Sequence, residues 1–164
     1  MIRRANTKDI PAIMEIVKAS IEVMKDEGND QWVENYPLEH HYEKDIKAGN
    51  LYVWEENNQV LGVACISPEG HHEYDEINWL YAGAYFCMKR LAVHPVARGK
   101  GIALQFYQFA EKLALDEGIH IIRTDTYSKN KGAIHLFKKA NYHFVQERIN
   151  DGRSAPFYYF EKKF

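Results

Sequence analysis

The residues with the clearest chemical meaning lie between Arg90 and Ala103, read as Arg-Leu-Ala-Val-His-Pro-Val-Ala-Arg-Gly-Lys-Gly-Ile-Ala. An apolar strand runs into a turn bearing Pro95, and a basic, glycine-rich loop then opens an amphipathic helix. The first amides of a helix have no intrahelical partner and sit at the positive end of the helix dipole. An anion placed there, at the amides around Ile102 and Ala103, is held by main chain. Gly99 and Gly101 let the backbone come close to a bulky phosphate, and Arg98 and Lys100 add full positive charges. Such a cradle implies a phosphate-bearing cofactor, and through it an enzyme. The competing reading of the same six residues is a helix start that contains two glycines for local reasons.

Two well-defined phosphate motifs fail here. A dinucleotide fingerprint needs a third glycine, and Leu104 stands in its place. A P-loop needs Ser or Thr after Gly-Lys, and Gly101 follows Lys100. A nucleotide-dependent oxidoreductase is therefore the weakest of the functional readings. Downstream, Ile102, Phe106, Phe109, Ala110 and Leu113 repeat with helical period, and Gly118 supplies a left-handed C-terminal cap. A strand from Ile119 to Thr126 follows. Asn130, Ala133 and Phe137 then fall on a second helix, before Asn141-Tyr142.

What remains of the cradle, Arg98-x-x-Gly101-x-Ala103, resembles the acyl-CoA motif of the GNAT N-acetyltransferases, and the order and spacing of Asn130, Ala133, Phe137 and Tyr142 extend the likeness from about Met88 to Val145. Two departures stand out. Phe137 occupies a position where that family usually has Tyr, and Asn141-Tyr142 replaces Gly-Phe. The resemblance implies acetyl-CoA as cofactor, the edge of the strand around Leu91 and Val93 as a partner for the pantetheine arm, and Asn130 as a further contact to it. Asn also favours a helix N-cap, and both roles can coexist. Phe137 lies either under the cofactor arm or in the core.

Acetyl transfer from a thioester needs a held cofactor, a neutral amine, a stabilised oxyanion and a leaving thiolate. Strand amides suit the first need and can donate to the oxyanion. For the base, Asp125 ends its strand five residues before Asn130, where the family often has an acid facing the thioester. A carboxylate in a partly dry cleft can be tuned upward. Equally, Asp125 could only bond to Tyr127 or a loop amide. Phe137 cannot protonate a thiolate. A thiol pKa of about 8.5 makes the thiolate a tolerable leaving group without help, and Tyr127 is a substitute donor. The segments 30–37 and 69–81 carry Trp32, Glu34, Tyr36, Glu76 and Trp79. Aromatic walls with carboxylates suit a primary amine of a small molecule or a peptide. The same composition suits a homodimer interface, and the acids taken singly suit plain surface positions. The alternative to an enzyme is a non-catalytic acyl-CoA-binding sensor, motivated by Phe137.

The elements that must position these groups read in the order β-α-α-β-β-β-α-β-α-β-β, an α/β (α+β) fold with a mixed, mostly antiparallel sheet and helices on both faces, as the resemblance implies. Thr7 is placed to cap a first helix with Ile10, Ile13, Ile16, Val17, Ile21 and Met24 on its apolar face. Asn57-Asn58 marks a hairpin turn, and 68–81 reads as a long loop. The 164 residues, 46% hydrophobic, are expected to form one domain over 1–164. A net charge of −2 gives no basis for bulk nucleic-acid binding. No membrane span, leader pattern or metal-ligand spacing is visible. The two cysteines, Cys65 and Cys87, read as buried reduced thiols, so the expected location is cytoplasmic.

Overall fold

The computed structural model describes residues 1–33 and 36–164. Its strands are β1 (Ile2–Arg4), β2 (Leu51–Glu56), β3 (Gln59–Ser67), β4 (Phe86–Val93), β5 (Ile121–Tyr127), β6 (His143–Arg148) and β7 (Phe157–Lys163), and its helices are α1 (Ile10–Asp26), α2 (Glu39–Lys47), α3 (Ile102–Asp116) and α4 (Lys131–Lys139). The strands form one mixed sheet in the order β1-β2-β3-β4-β5-β7-β6. β4 and β5 run parallel, with Phe86 opposite Ile122 and Cys87 opposite Arg123. The pairs β1/β2, β2/β3, β5/β7 and β6/β7 are antiparallel. The element order read from the sequence is the one observed.

The described residues fall into two compact units, 1–66 with 89–107, and 67–88 with 108–164. The first is built on the apolar stripe of α1. Ile10, Ile13, Ile16 and Val17 are buried with Tyr42 of α2, Leu51 and Val53 of β2, Val63 and Cys65 of β3 and Ala92 of β4, and Ile21 and Met24 pack against them. The core of the second unit gathers Tyr74, Ile77, Cys87 and Tyr159, flanked by Trp79, Tyr85, Val145 and Phe157. The sheet pattern puts every second residue of β5 on one face, so Arg123, Asp125 and Tyr127 share a side.

Several boundaries differ from expectation for local reasons. Asn6, rather than Thr7, makes the N-terminal cap. Its side chain accepts the Lys8 N–H at 2.9 Å while Asp9 accepts the Asn6 N–H at 2.8 Å, and a 3-10 turn over Thr7–Asp9 precedes α1. β5 begins at Ile121 because Ile119 is still held by the end of α3. Its N–H donates to Ala114 O and that of Gly118 to Leu115 O, a Schellman closure with Gly118 at φ +73°. The stretch 68–81 is the expected long loop, though it is not wholly exposed. It contains a 3-10 turn over His72–Glu76 and buries Glu73, Tyr74 and Ile77. Asn57 and Asn58 take φ of +50° and +62°, as a type I′ hairpin turn requires.

Candidate active site

In the first unit the chain from β4 to α3 forms a loop held by its own backbone. The His94 N–H donates to Leu61 O and the Ala97 N–H to His94 O, both at 2.8 Å. A 3-10 turn at Pro95–Ala97 follows, and the Arg98 Nε donates to Val93 O at 3.4 Å. Gly99 and Gly101 take φ of +80° and +77°. A Cβ at either position would meet nothing within 4 Å, so these glycines serve conformation and leave open space in front of the loop. The Gln105 N–H donates to Gly101 O at 3.0 Å, which makes Gly101 the N-cap. Helix geometry then leaves the amides of Ile102, Ala103 and Leu104 without intrahelical acceptors. Arg98 and Lys100 are exposed beside them, the Ile102 side chain is buried, and Leu91, Val93 and Ala103 are half-buried. An open, cationic, amide-lined helix start fits a pyrophosphate.

The strand leading into this loop is bent at Arg90, whose φ of +49° costs a residue with a side chain about 1–2 kcal/mol. The guanidinium is anchored. Its Nε and Nη2 donate to the two oxygens of Asp45 at 2.8 and 2.5 Å, and its Nη1 to the Tyr36 hydroxyl at 3.1 Å. Sequence reasoning did not single out Arg90 or Asp45. They stand 45 positions apart, and no local pattern joins them. Tyr36 is thus bound to β4 through Arg90. Trp32 is 6% exposed and belongs to the core of this unit rather than to an open wall. Glu34 lies outside the described residues. Burial pushes the Cys65 thiol up to about 12, so it is no nucleophile near neutral pH.

In the second unit the shared face of β5 and β7 carries a chain of polar contacts. Asp125 is half-buried on this face. Its Oδ1 accepts the Tyr74 hydroxyl at 2.5 Å. The Tyr127 hydroxyl accepts the Ala155 N–H at 3.1 Å and meets Ser154 Oγ at 3.4 Å, with the residue 0% exposed. Arg123 pairs with the buried Glu161 at 2.9 Å and donates to Tyr81 O at 2.6 Å. It lies over the rings of Trp79 and Tyr85, 4.7 and 4.3 Å from their centroids. The Trp79 indole N–H donates to Tyr74 O at 2.9 Å. Glu76 pairs with Arg148 on the surface. Trp79 and Glu76 therefore have structural partners within their own unit.

Asn130 caps α4, its Oδ1 accepting the Ala133 N–H at 3.1 Å. Phe137 is 3% exposed and packs on Phe160 with ring centroids 5.0 Å apart. No helix among the described residues is long and apolar enough to cross a membrane.

Comparison with known proteins supplies the family. The model of the Acetyltransferase (GNAT) family matches residues 17–142. A GNAT-family acetyltransferase of Streptococcus agalactiae 2603 superposes with a TM-score of 0.85 at 28% identity, covering 100% of this chain and 95% of that one. A Staphylococcus aureus Mu50 structure, provisionally named an acetyltransferase, does so with 0.78 at 30% identity, covering 99% and 98%. A Salmonella typhimurium protein solved with its cofactor acetyl-CoA shares the fold, with 0.73 at 19% identity over 99% and 92%. Among curated proteins no sequence match is found. With the family model spanning most of its length, the chain belongs to the GNAT acetyltransferase family.

Proposed function

We propose that residues 1–164 act as one catalytic domain that transfers acetyl to a primary amine, of a small molecule or a peptide, by direct attack with both reactants bound. As a family member the chain is an acetyltransferase that uses acetyl-CoA. When bound, that cofactor supplies a thioester carbonyl to the amine. The observation that carries the reading is the cradle, two left-handed glycines at an exposed helix start. Ile102, Ala103 and Gly101 would bind the pyrophosphate through main chain, and Gly99 shapes the loop. Arg98 and Lys100 add charge. Leu91 and Val93 would offer backbone to the arm, Asn130 a side-chain amide and Phe137 an apolar floor. Asp125 would take the proton from the amine, and general-base assistance of this kind is worth about 10²–10⁴-fold.

Tyr127 accepts the Ala155 N–H at its hydroxyl oxygen, which leaves the phenol hydrogen to give, and in this reading it is the substitute proton donor to the leaving thiolate. For the acceptor, Tyr36 and Trp79 supply aromatic surface, and Glu34 and Glu76 supply negative charge for a cationic amine. Trp32 supports the same segment from the core. The second reading, an acyl-CoA sensor without turnover, is favoured by one observation: Phe137 puts a buried ring where the family usually has a hydroxyl. Thiol release from acetyl-CoA, measured across a panel of small amines and peptides, separates the two. Amine-dependent release supports the enzyme and defines its acceptor class. Tight acetyl-CoA binding without release from any amine supports the sensor.

A further inference from the structure

We propose that Tyr74 is a positioning residue for Asp125, its hydroxyl holding the carboxylate in one orientation and favouring its ionised form. This rests on Asp125 serving as the base and adds the group that prepares it. The Tyr74 ring is 2% exposed and fixed on several sides. Its backbone N–H donates to His71 O at 2.9 Å, and its carbonyl accepts from Ile77 at 3.2 Å and from the Trp79 indole at 2.9 Å. The rings of Trp79 and Tyr159 lie 5.1 and 5.7 Å from it. Gly70 is fitted to the same ring, since a Cβ there would stand 2.3 Å from Tyr74 Cδ2. A side chain at position 70 and this ring position exclude each other.

The direction of the hydroxyl hydrogen follows from its partners. The Cys87 thiol donates to the Tyr74 oxygen at 3.4 Å. A phenol has one hydrogen to give, and the remaining neighbour, Asp125 Oδ1, can only accept when ionised. Burial, and then the charge of Asp125, push the Tyr74 phenol well above its ordinary range, so it stays a donor at working pH. Tyr159 faces Asp125 in the β5/β7 register but is committed elsewhere. It donates to Glu73 Oε1 at 3.3 Å and accepts from Asn150 Nδ2 at 3.1 Å. The titratable groups near the carboxylate include Tyr74 and Glu73 from the 3-10 turn, Cys87 from β4 and Tyr159 from β7, with Arg123 and Tyr127 the neighbouring same-face positions of β5.

The test is Tyr74→Phe, which keeps the buried ring and removes only the hydroxyl. A hydrogen bond to the ionised form lowers a carboxyl pKa, so its loss should move the Asp125 carboxyl titration, read by carbon NMR on the folded protein, up by about one pH unit. The acidic limb of the rate profile should rise with it, turnover should fall about tenfold through lost orientation, and acetyl-CoA affinity should stay as in the wild type. Gly70→Ala, which removes no hydroxyl but forces the Tyr74 ring and its hydroxyl to shift, should move the titration in the same direction. An unchanged Asp125 titration in folded Tyr74→Phe overturns the proposal. If the titration moves while the rate profile does not, the positioning contact stands and the assignment of Asp125 as base falls.

Discussion

In the proposed function the cradle and the Asp125 face work by opposite means. At the cradle the functional groups are main-chain amides, presented by two glycines whose added Cβ atoms would touch nothing, and the charged side chains beside them are exposed. At Asp125 the functional group is one carboxylate, and its surroundings are side chains packed to exclusion: Tyr74, Tyr159, Glu161 and Cys87 are all 2% exposed or less. The first site should tolerate change in most side chains and depend on backbone conformation. The second depends on each partner, because a buried polar group left without its partner bears its full desolvation penalty.

The largest expected contrast is in turnover. Asp125→Asn should lower it by about 10²–10⁴-fold and remove the acidic limb of the rate profile, since that limb reports the essential base. Acetyl-CoA affinity should be nearly untouched. A wild-type profile from folded Asp125→Asn would show the Asp125 face to be purely structural. Next comes stability. Glu161→Ala strands Arg123 in the same face and removes the acceptor of the Leu80 N–H. Breaking a buried pair costs about 3–5 kcal/mol, which for a chain of this size lowers Tm by about 6–20 °C. Differential scanning calorimetry reads it. A loss within 2 °C would mean that the two rings and Tyr81 O suffice for Arg123. The smallest effect belongs to the cradle's side chains. Arg98→Ala and Lys100→Ala should each weaken acetyl-CoA by about tenfold or less, as expected of exposed charges beside a main-chain site. A hundredfold loss from either, by titration calorimetry, would make the site a side-chain one.

The same contrast explains what the sequence revealed. The cradle is local: strand, turn, two glycines and helix lie within fourteen consecutive residues, so chain order alone places them. The caps at Gly118 and Asn130 and the Asn57-Asn58 turn were legible for the same reason. The Asp125 network joins Tyr74, Cys87, Glu73 and Tyr159, separated from their partners by 13 to 86 positions, and no periodicity announces such contacts. The stretch 68–81 shows a related limit. It is the loop that its composition indicates, yet Glu73, Tyr74 and Ile77 are buried within it, with Glu73 bonded to Tyr159 of β7, and nothing in the local sequence marks those three. Arg90 illustrates the limit again, because its left-handed backbone is sustained by Asp45 of α2 and not by any neighbour in sequence.

In the proposed function acetyl-CoA is held by the main chain at the start of α3. Gly101→Glu tests it most directly, by placing bulk and negative charge where the pyrophosphate would meet the amides. The free loop has room for the side chain, although φ +77° strains any residue but glycine, so the variant should fold with a modest loss of Tm. Titration calorimetry of acetyl-CoA should then show clear binding to the wild type and none to folded Gly101→Glu. Equal affinity for both would place the cofactor elsewhere and contradict the account.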